Sequence, residues 1–262
     1  MEIAFKNVEY VYHCAALISF NPKDEDLLRK INIEGTANIV NFCVAKAVKK
    51  LCFVSSIAAL GDIKENEKNI NEETEWNPEK PHSDYAISKY GAEMEIWRGQ
   101  QEGLNSVIIN PGIILGPNIW EQGSGLLFKK IEKGFPFYTK GMTGFIAVSD
   151  VTKIAVELMK SEVINERFTL ISENIVFRDL FNSIADALNV KRPTIYASPF
   201  LIEFFWRIDW FLSLIFRWNR KLNQATAKSS YSKNLYSNEK IINTLGTEFL
   251  DIHQYIKEIS RL

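Results

Sequence analysis

Cysteine is scarce in this chain of 262 residues: Cys14, Cys43 and Cys52 are the only three, and none stands at a zinc-ligand spacing from another cysteine or a histidine. So few thiols exclude a disulfide framework, and their apolar neighbours predict reduced, buried side chains. An excess of either charge is missing too. The 31 Lys and Arg residues stand against 32 Asp and Glu, a net charge of −1, so no basic field is available for nucleic acid. No run of about 18 apolar residues exists to cross a bilayer. The nearest, FLIEFFWRIDWFLSLIFRW at 200–218, is broken by Glu203, Arg207 and Asp209. On a helix, Glu203, Arg207, Ser213, Arg217 and Lys221 share one arc, and the remaining face is aromatic and aliphatic. It reads as a core or lid helix, with peripheral membrane contact or a dimer contact as the alternative. The opening residues MEIAFKNVEYVYHCAA lack a basic region, and Glu2, Lys6 and Glu9 interrupt their apolar stretch. They do not read as a signal peptide, and a cytoplasmic protein is expected. No G-x-S-x-G surrounds any serine, which removes a hydrolase of the nucleophile-elbow type.

What is present is the composition of an ordinary globular protein, 46% apolar and 24% charged, long enough for one large or two small domains. VEYVYHCAAL at 8–17 is nearly continuous in apolar and β-branched residues and predicts a buried strand. From Asp24 to Val48 the spacing turns helical, with Leu28, Ile31, Gly35, Ile39 and Phe42 at steps of three and four. KKLCFVSS at 49–56 predicts a second strand. Residues 61–81 form a long polar loop, in which Glu72, Glu73 and Glu75 read as solvated. A helix follows at 84–101, and then a third strand, SVIINPGIILGP at 106–117, broken at Pro111-Gly112. Strands alternating with helices predict a parallel sheet with crossovers on its faces, and a site at the carboxyl ends of the strands. After residue 117 come a short helix and an aromatic loop, a strand and helix near 145–160 with Ser149 as the expected cap, a strand at 166–172, a helix at 177–189 and a mostly helical remainder.

Within HSDYAISKYGAE, Tyr85 precedes Lys89 by four residues and so shares its helix face. A cation beside a phenol favours the phenolate and would make Tyr85 a proton donor or acceptor near neutral pH. Ser55 and Ser56, ending the preceding strand, could hold the reacting oxygen. The same spacing recurs at Tyr236 and Lys240, where no strand precedes it, and that copy reads as accidental. His13 and His82 read as packing or loop residues, and His253 as a surface residue.

The succession VYHCAAL, INIEGTANIV, CFVSSIAALG, DYAISKYGAE, NPGIILGP and AVSDVTKIAVELM resembles the extended short-chain dehydrogenase/reductase family. The flavour is that of its NAD-dependent epimerase/dehydratase, dihydroflavonol reductase and 3-beta-hydroxysteroid dehydrogenase members. The resemblance covers most of residues 7–160. It implies an α/β fold, a Rossmann-like doubly wound parallel sheet at 1–117, and a small, mostly helical substrate lobe at 118–262 with 145–175 returning to the sheet. It implies NAD or NADP as cofactor, with hydride moved at a secondary alcohol or ketone. Tyr85 would be the acid/base, Lys89 its partner on the nicotinamide ribose, Ser56 the hydroxyl on the reacting oxygen, and Asn32 a residue ordering the site beside the cofactor. Ala15 and Ala16 would line the dinucleotide, Ser55 would border it, and Pro111, Gly112 and Ile113 would meet the nicotinamide. Asp150 would face the substrate lobe. Simpler roles stand beside these: caps for Asn32, Ser55 and Asp150, and close packing for the two alanines. The substrate would be a small molecule, either apolar, as Phe135, Phe137, Trp206 and Trp210 suggest, or a nucleotide sugar. Helices like 26–47 and 84–101 often pair such proteins into homodimers.

The family pattern opens on a strand and a G-x-x-G-x-x-G turn, whose backbone and helix N-terminus receive a pyrophosphate. Here the first glycine is Gly35, and no cluster has that spacing. The chain is therefore expected to open at the fourth strand of such a sheet, lacking the first three. Its strand at 8–16 would be an exposed edge able to pair with another chain, and dinucleotide binding would be impaired. A non-catalytic sensor or scaffold is the alternative function.

Overall fold

The structure, a computed structural model, describes residues 1–63, 67–117, 120–216 and 224–260. Its strands are β1 (Tyr10–His13), β2 (Lys50–Val54), β3 (Ser106–Pro111), β4 (Ile113–Leu115), β5 (Phe137–Tyr138), β6 (Met142–Ala147), β7 (Glu166–Leu170), β8 (Glu173–Val176) and β9 (Ile195–Tyr196). Its helices are α1 (Glu25–Leu28), α2 (Gly35–Ala45), α3 (Asp84–Gln101), α4 (Gly125–Glu132), α5 (Val148–Lys160), α6 (Phe177–Ala187), α7 (Pro199–Phe216), α8 (Gln224–Tyr231), α9 (Glu239–Leu245) and α10 (Ile252–Ile259). The chain divides into two compact units. The first holds Met1–Gly112, Ser149–Ile171 and Ser237–Glu248, and the second holds Ile113–Val148, Ser172–Tyr236 and Phe249–Leu262.

The first unit is built on a four-stranded parallel sheet in the order β1-β2-β3-β7, a Rossmann-like arrangement. Phe53 aligns with His13 on one side and with Ile108 on the other, so the three strands run in step. Every residue of β3 is buried, which fits its mostly apolar reading, since helices cover both faces of a parallel sheet. Among the described strands β1 pairs with β2 alone, and Tyr10 and Tyr12 are 50% and 46% exposed. An exposed apolar edge was expected at 8–16; the buried strand read at 8–17 is instead four residues long, and only His13 of it is buried. Lys50 lies buried within β2, and its ammonium donates to Leu158 O and Ser161 O at 2.5 and 2.9 Å. It thereby meets the negative end of α5.

The α3 helix starts on its cap Ser83, whose hydroxyl accepts from Ala86 N at 3.1 Å, a standard N-terminal solution for unpaired amides. Its buried face runs Tyr85, Ser88, Lys89, Ala92, Glu93, Ile96 and Gly99. Gly99 allows α2 to approach: a Cβ there would lie 2.6 Å from Val40 Cγ1. Below the sheet end, Val40, Cys43, Leu51, Phe53, Ala92, Ile96 and Ile108 form a continuous core.

The helix expected from Asp24 to Val48 is present but wound in three pieces. A wide π-helical turn, Arg29–Glu34, joins α1 to α2. The fully buried line is Leu28, Asn32, Thr36, Val40 and Cys43, whereas Ile31 is 38% exposed. The apolar spacing pointed one residue away from the true inner face, because two polar residues occupy that face. Other expectations need adjustment. Cys14 is exposed, not buried. Glu72 is buried rather than solvated, and Ser149 sits inside the first turn of α5 rather than before it.

The second unit combines the sheet β4-β6-β8, the pair β5-β9 and the helices α4, α6, α7, α8 and α10. Its core gathers Leu115, Phe128, Phe145, Leu180, Ile184 and Ile256. Helix α7 forms, but of the polar stripe expected along it only the side chains of Glu203 and Arg207 are described. Those of Trp210 and Ser213, and residues Arg217 and Lys221, lie outside the described residues. Glu203 joins Arg207 and accepts from Trp206 Nε1 at 2.9 Å. No helix among the described residues is long and apolar enough to cross a membrane.

Candidate active site

The carboxyl ends of β1, β2 and β3 meet on one rim of the first unit, where a parallel sheet presents its functional residues. Ser56 follows β2 and caps a short 3-10 turn, its hydroxyl accepting from Ala58 N at 3.1 Å. The same side chain stands close enough to the Tyr85 hydroxyl to favour its ionised form. Tyr85 is buried at the start of α3, with Phe20 edge-on to its ring at 5.8 Å. Ser56 and Tyr85, singled out on different elements, thus lie on the same rim.

Lys89 is buried one turn further along α3. Its ammonium donates to Val54 O at 2.9 Å and lies 4.4 Å from the Phe53 ring centre. Burial lowers its pKa to about 8, opposed by the nearby charges of Glu93 and Cys14. The expected depression of the Tyr85 phenol by this lysine is not what the structure shows. Burial pushes the Tyr85 pKa up, and the nearby Ser56 hydroxyl opposes it. The reason is geometric: the ammonium is directed at the end of β2.

Asn32 sits in the π-helical turn, 1% exposed. Its Oδ1 accepts from Leu17 N at 2.7 Å, and its Nδ2 donates to Leu17 O and to Ser88 Oγ, each at 2.9 Å. It clamps the loop after β1 as a paired strand would, and ties that loop to α3. Thr36 Oγ1 donates to Asn32 O at 2.6 Å, so the His13 ring nitrogen 2.9 Å away is its donor. Burial, then the charge of Lys89, holds the His13 pKa down at about 4, which keeps the ring neutral. Ala15 and Ala16 lie exposed in the clamped loop. Ser55 turns its hydroxyl inward to Glu93 Oε1. Pro111 is buried, Gly112 N donates to Leu170 O at 2.9 Å, and Ile113 opens β4 in the second unit.

Several residues here escaped the sequence reading. Glu93, fully buried, accepts from Ser55, from Asn110 Nδ2 at 2.6 Å and from Arg167 at 3.1 Å. Asn110 Nδ2 also lies 2.9 Å from Ser56 O. Arg167 reaches Glu72 O, and Glu72 accepts from Thr169 N. Two signals were legible: Asn110 is a polar residue in an apolar strand, and Glu93 continues the face of Tyr85 and Lys89. The second Tyr-x-x-x-Lys is dispersed. Tyr236 is buried in the second unit, and burial raises its pKa to about 12. Lys240 belongs to the first unit, where it pairs with Glu166 at 2.6 Å.

The pattern of an NAD-binding family described as male sterility protein matches residues 1–179. Sterol demethylase protein B of Methylococcus capsulatus is 24% identical over 204 residues, 76% of this chain and 61% of that protein. A putative dihydroflavonol 4-reductase of Synechocystis sp. is 28% identical over 189 residues, 70% of this chain and 55% of that protein. The chain therefore spans between 55% and 61% of the length of these curated relatives. The solved UDP-glucose 4-epimerase of Thermus thermophilus, in complex with NAD, superposes with a TM-score of 0.74 at 22% identity, over 99% of this chain and 79% of that one. With its motifs in order and about two thirds of its length matched, the chain belongs to the NAD-binding male sterility proteins of the extended short-chain dehydrogenase/reductase, or NAD-dependent epimerase/dehydratase, family.

Proposed function

We propose that this protein is an NAD(P)-dependent oxidoreductase or epimerase acting at a secondary alcohol or ketone of a small molecule. The observation that carries the reading is the convergence of Ser56, Tyr85 and Lys89 at the carboxyl end of β2, where Ser56 stands near the Tyr85 hydroxyl and Lys89, buried one turn away, donates to Val54 O at 2.9 Å. The residues present suit the nicotinamide-ribose half of the cofactor. Ala15 and Ala16 leave the loop after β1 uncovered, and Lys89 provides a cation behind Tyr85. When bound, the nicotinamide supplies or accepts the hydride.

The protein's own part is proton transfer and orientation. A ketone oxygen placed against Ser56 Oγ and Tyr85 Oη would receive one hydrogen bond from each. The raised pKa of Tyr85 keeps the phenol protonated at neutral pH, as an acid in the reducing direction requires. In the reverse direction the same oxygen takes the alcohol proton. Lys89, still mostly an ammonium at neutral pH, would hold the nicotinamide ribose rather than act on the Tyr85 phenol, since it is directed at the end of β2. Asn32 keeps the loop of Ala15 and Ala16 in place.

The glycine-rich turn that receives a pyrophosphate does not occur in the sequence, so dinucleotide affinity of this chain is expected to be low. Calorimetric titration with NADH and NADPH tests that expectation, and micromolar binding would refute it. Function is tested with hydroxysteroids, dihydroflavonols and UDP-sugars, following nicotinamide absorbance or epimer interconversion. Turnover of one class, lost in Tyr85→Phe, is expected. Turnover that survives both Tyr85→Phe and Ser56→Ala would overturn the assignment.

A further inference from the structure

Glu93 is a carboxylate with no exposed surface, 8 residues beyond Tyr85 on the buried face of α3. A buried charge is costly unless it is paired and hydrogen-bonded. Here the pairing converges on the end of β2. Three consecutive residues there are held from outside the strand. Val54 O accepts from Lys89, the Ser55 hydroxyl donates to Glu93, and Ser56 O accepts from Asn110 Nδ2, which also donates to Glu93. Arg167 on β7 supplies the opposite charge, and its other arm is fixed on Glu72 O.

We propose that Glu93 is a positioning residue for the reaction: through Ser55 and Asn110 it fixes the turn at Ser55–Ser56, so that the Ser56 hydroxyl stays near that of Tyr85. This rests on the oxidoreductase reading of the site but is tested without turnover. The position of Glu93 one turn from Lys89 adds a second effect, since a negative charge there favours the ammonium. The other groups around that ammonium are Cys14 and His13 at the end of β1, together with the Phe53 ring and Val54 O on β2.

The test compares Glu93→Gln, Ser55→Ala and Ser56→Ala in the full chain. The titration of Tyr85 is followed on its labelled ring carbon and that of Lys89 on its side-chain nitrogen by NMR. Losing the Ser56 hydroxyl raises the Tyr85 midpoint. The same rise is expected in Glu93→Gln and Ser55→Ala, with no further rise when either is combined with Ser56→Ala, the signature of one shared pathway. Glu93→Gln should also lower the Lys89 midpoint by about one pH unit, the scale of a lost opposite charge. If Glu93 is structural only, its replacement lowers the melting temperature while both midpoints stay put in the folded protein, and the proposal fails. Should Glu93→Gln not fold, Ser55→Ala decides alone through the Tyr85 midpoint. A wild-type chain that binds NADH or NADPH yet shows no turnover defeats the oxidoreductase reading and leaves these titrations as informative as before.

Discussion

Tyr85 and Tyr236 stand at the same distance in sequence from a lysine, and burial raises the pKa of both hydroxyls. Their partners separate them. Tyr85 stands near Ser56 at the rim of a parallel sheet, whereas Tyr236 stands near Asn234 and Thr143 and its backbone is pinned by Asn174. Tyr85→Phe is therefore expected to lower turnover by two or more orders of magnitude, the scale of general acid–base catalysis. Tyr236→Phe should leave it within a small factor, and comparable losses in steady-state rates would sink the assignment. His13 makes a different prediction. Its folded pKa of about 4 lies below the ordinary 6.5, so the unfolded chain binds a proton the folded one refuses. That contribution to stability is complete above pH 6.5 and is lost as pH falls through about 4, amounting to about 3 kcal/mol at that point. Urea unfolding of wild type and His13→Gln across this window should show the acid-side slope shrinking in the variant. An unchanged slope would mean that the ring titrates normally. At this scale the sequence was informative about Tyr85, Lys89 and Ser56, whose types and spacing are unusual together. It marked Glu93 and Asn110 only by their positions and was silent about Arg167, because the meaning of all three lies in partners 17 to 74 residues away.

Among the elements, the segment between β1 and β2 carries the clearest lesson. Apolar spacing predicted its helix but misplaced the inner face, since Asn32 and Thr36 lie on it with their hydrogen bonds satisfied. Apolar periodicity cannot register a polar residue that is buried because it is paired. The π-helical turn also moves the line by one residue, and such turns collect at functional sites. Asn32 replaces backbone pairing for Leu17, which has no strand partner of its own. Asn32→Ala would strand the Leu17 N–H and C=O, while the Ser88 hydroxyl would keep its bond to Tyr85 O. A loss of about 2–4 kcal/mol is expected, at 1–3 kcal/mol for each group left unsatisfied with partial relief from water. Faster hydrogen exchange should appear in residues 14–21 beyond the global change. Destabilisation without local exchange would show that the clamp does not hold the loop. By contrast α3 appeared where the sequence put it, at 84–101, because its cap, its apolar steps and its end are all local.

For the whole molecule, the sequence revealed the alternation of strands and helices, and the family resemblance implied that 145–175 returns to the first sheet. Each unit is assembled from three separate segments, and no local pattern announced the second return, Ser237–Glu248. The returns matter physically for the first unit. Residues 149–171 bring β7 to the side of β3 and Arg167 to Glu93. Residues 237–248 bring Lys240 to Glu166, Asn238 Nδ2 to Ile171 O at 2.8 Å, and Ile241 to full burial. A fragment ending at Gly112 would keep Ser56, Tyr85 and Lys89 yet lose all of these. Its β3, buried along its length, would become an edge with unpaired backbone groups. Glu93 would remain inside without its cation, and breaking a buried pair in this way costs about 3–5 kcal/mol. Against a usual total stability of about 5–15 kcal/mol, that loss and the lost burial of α5 and α9 together exceed what the fragment can supply. The fragment 1–112 is therefore expected to show no cooperative transition in urea by circular dichroism, under conditions where the full chain does. A sigmoidal transition in the fragment, with Tyr85 titrating as in the full chain, would show that the site is sustained by the first segment alone and that the returning segments are dispensable to it.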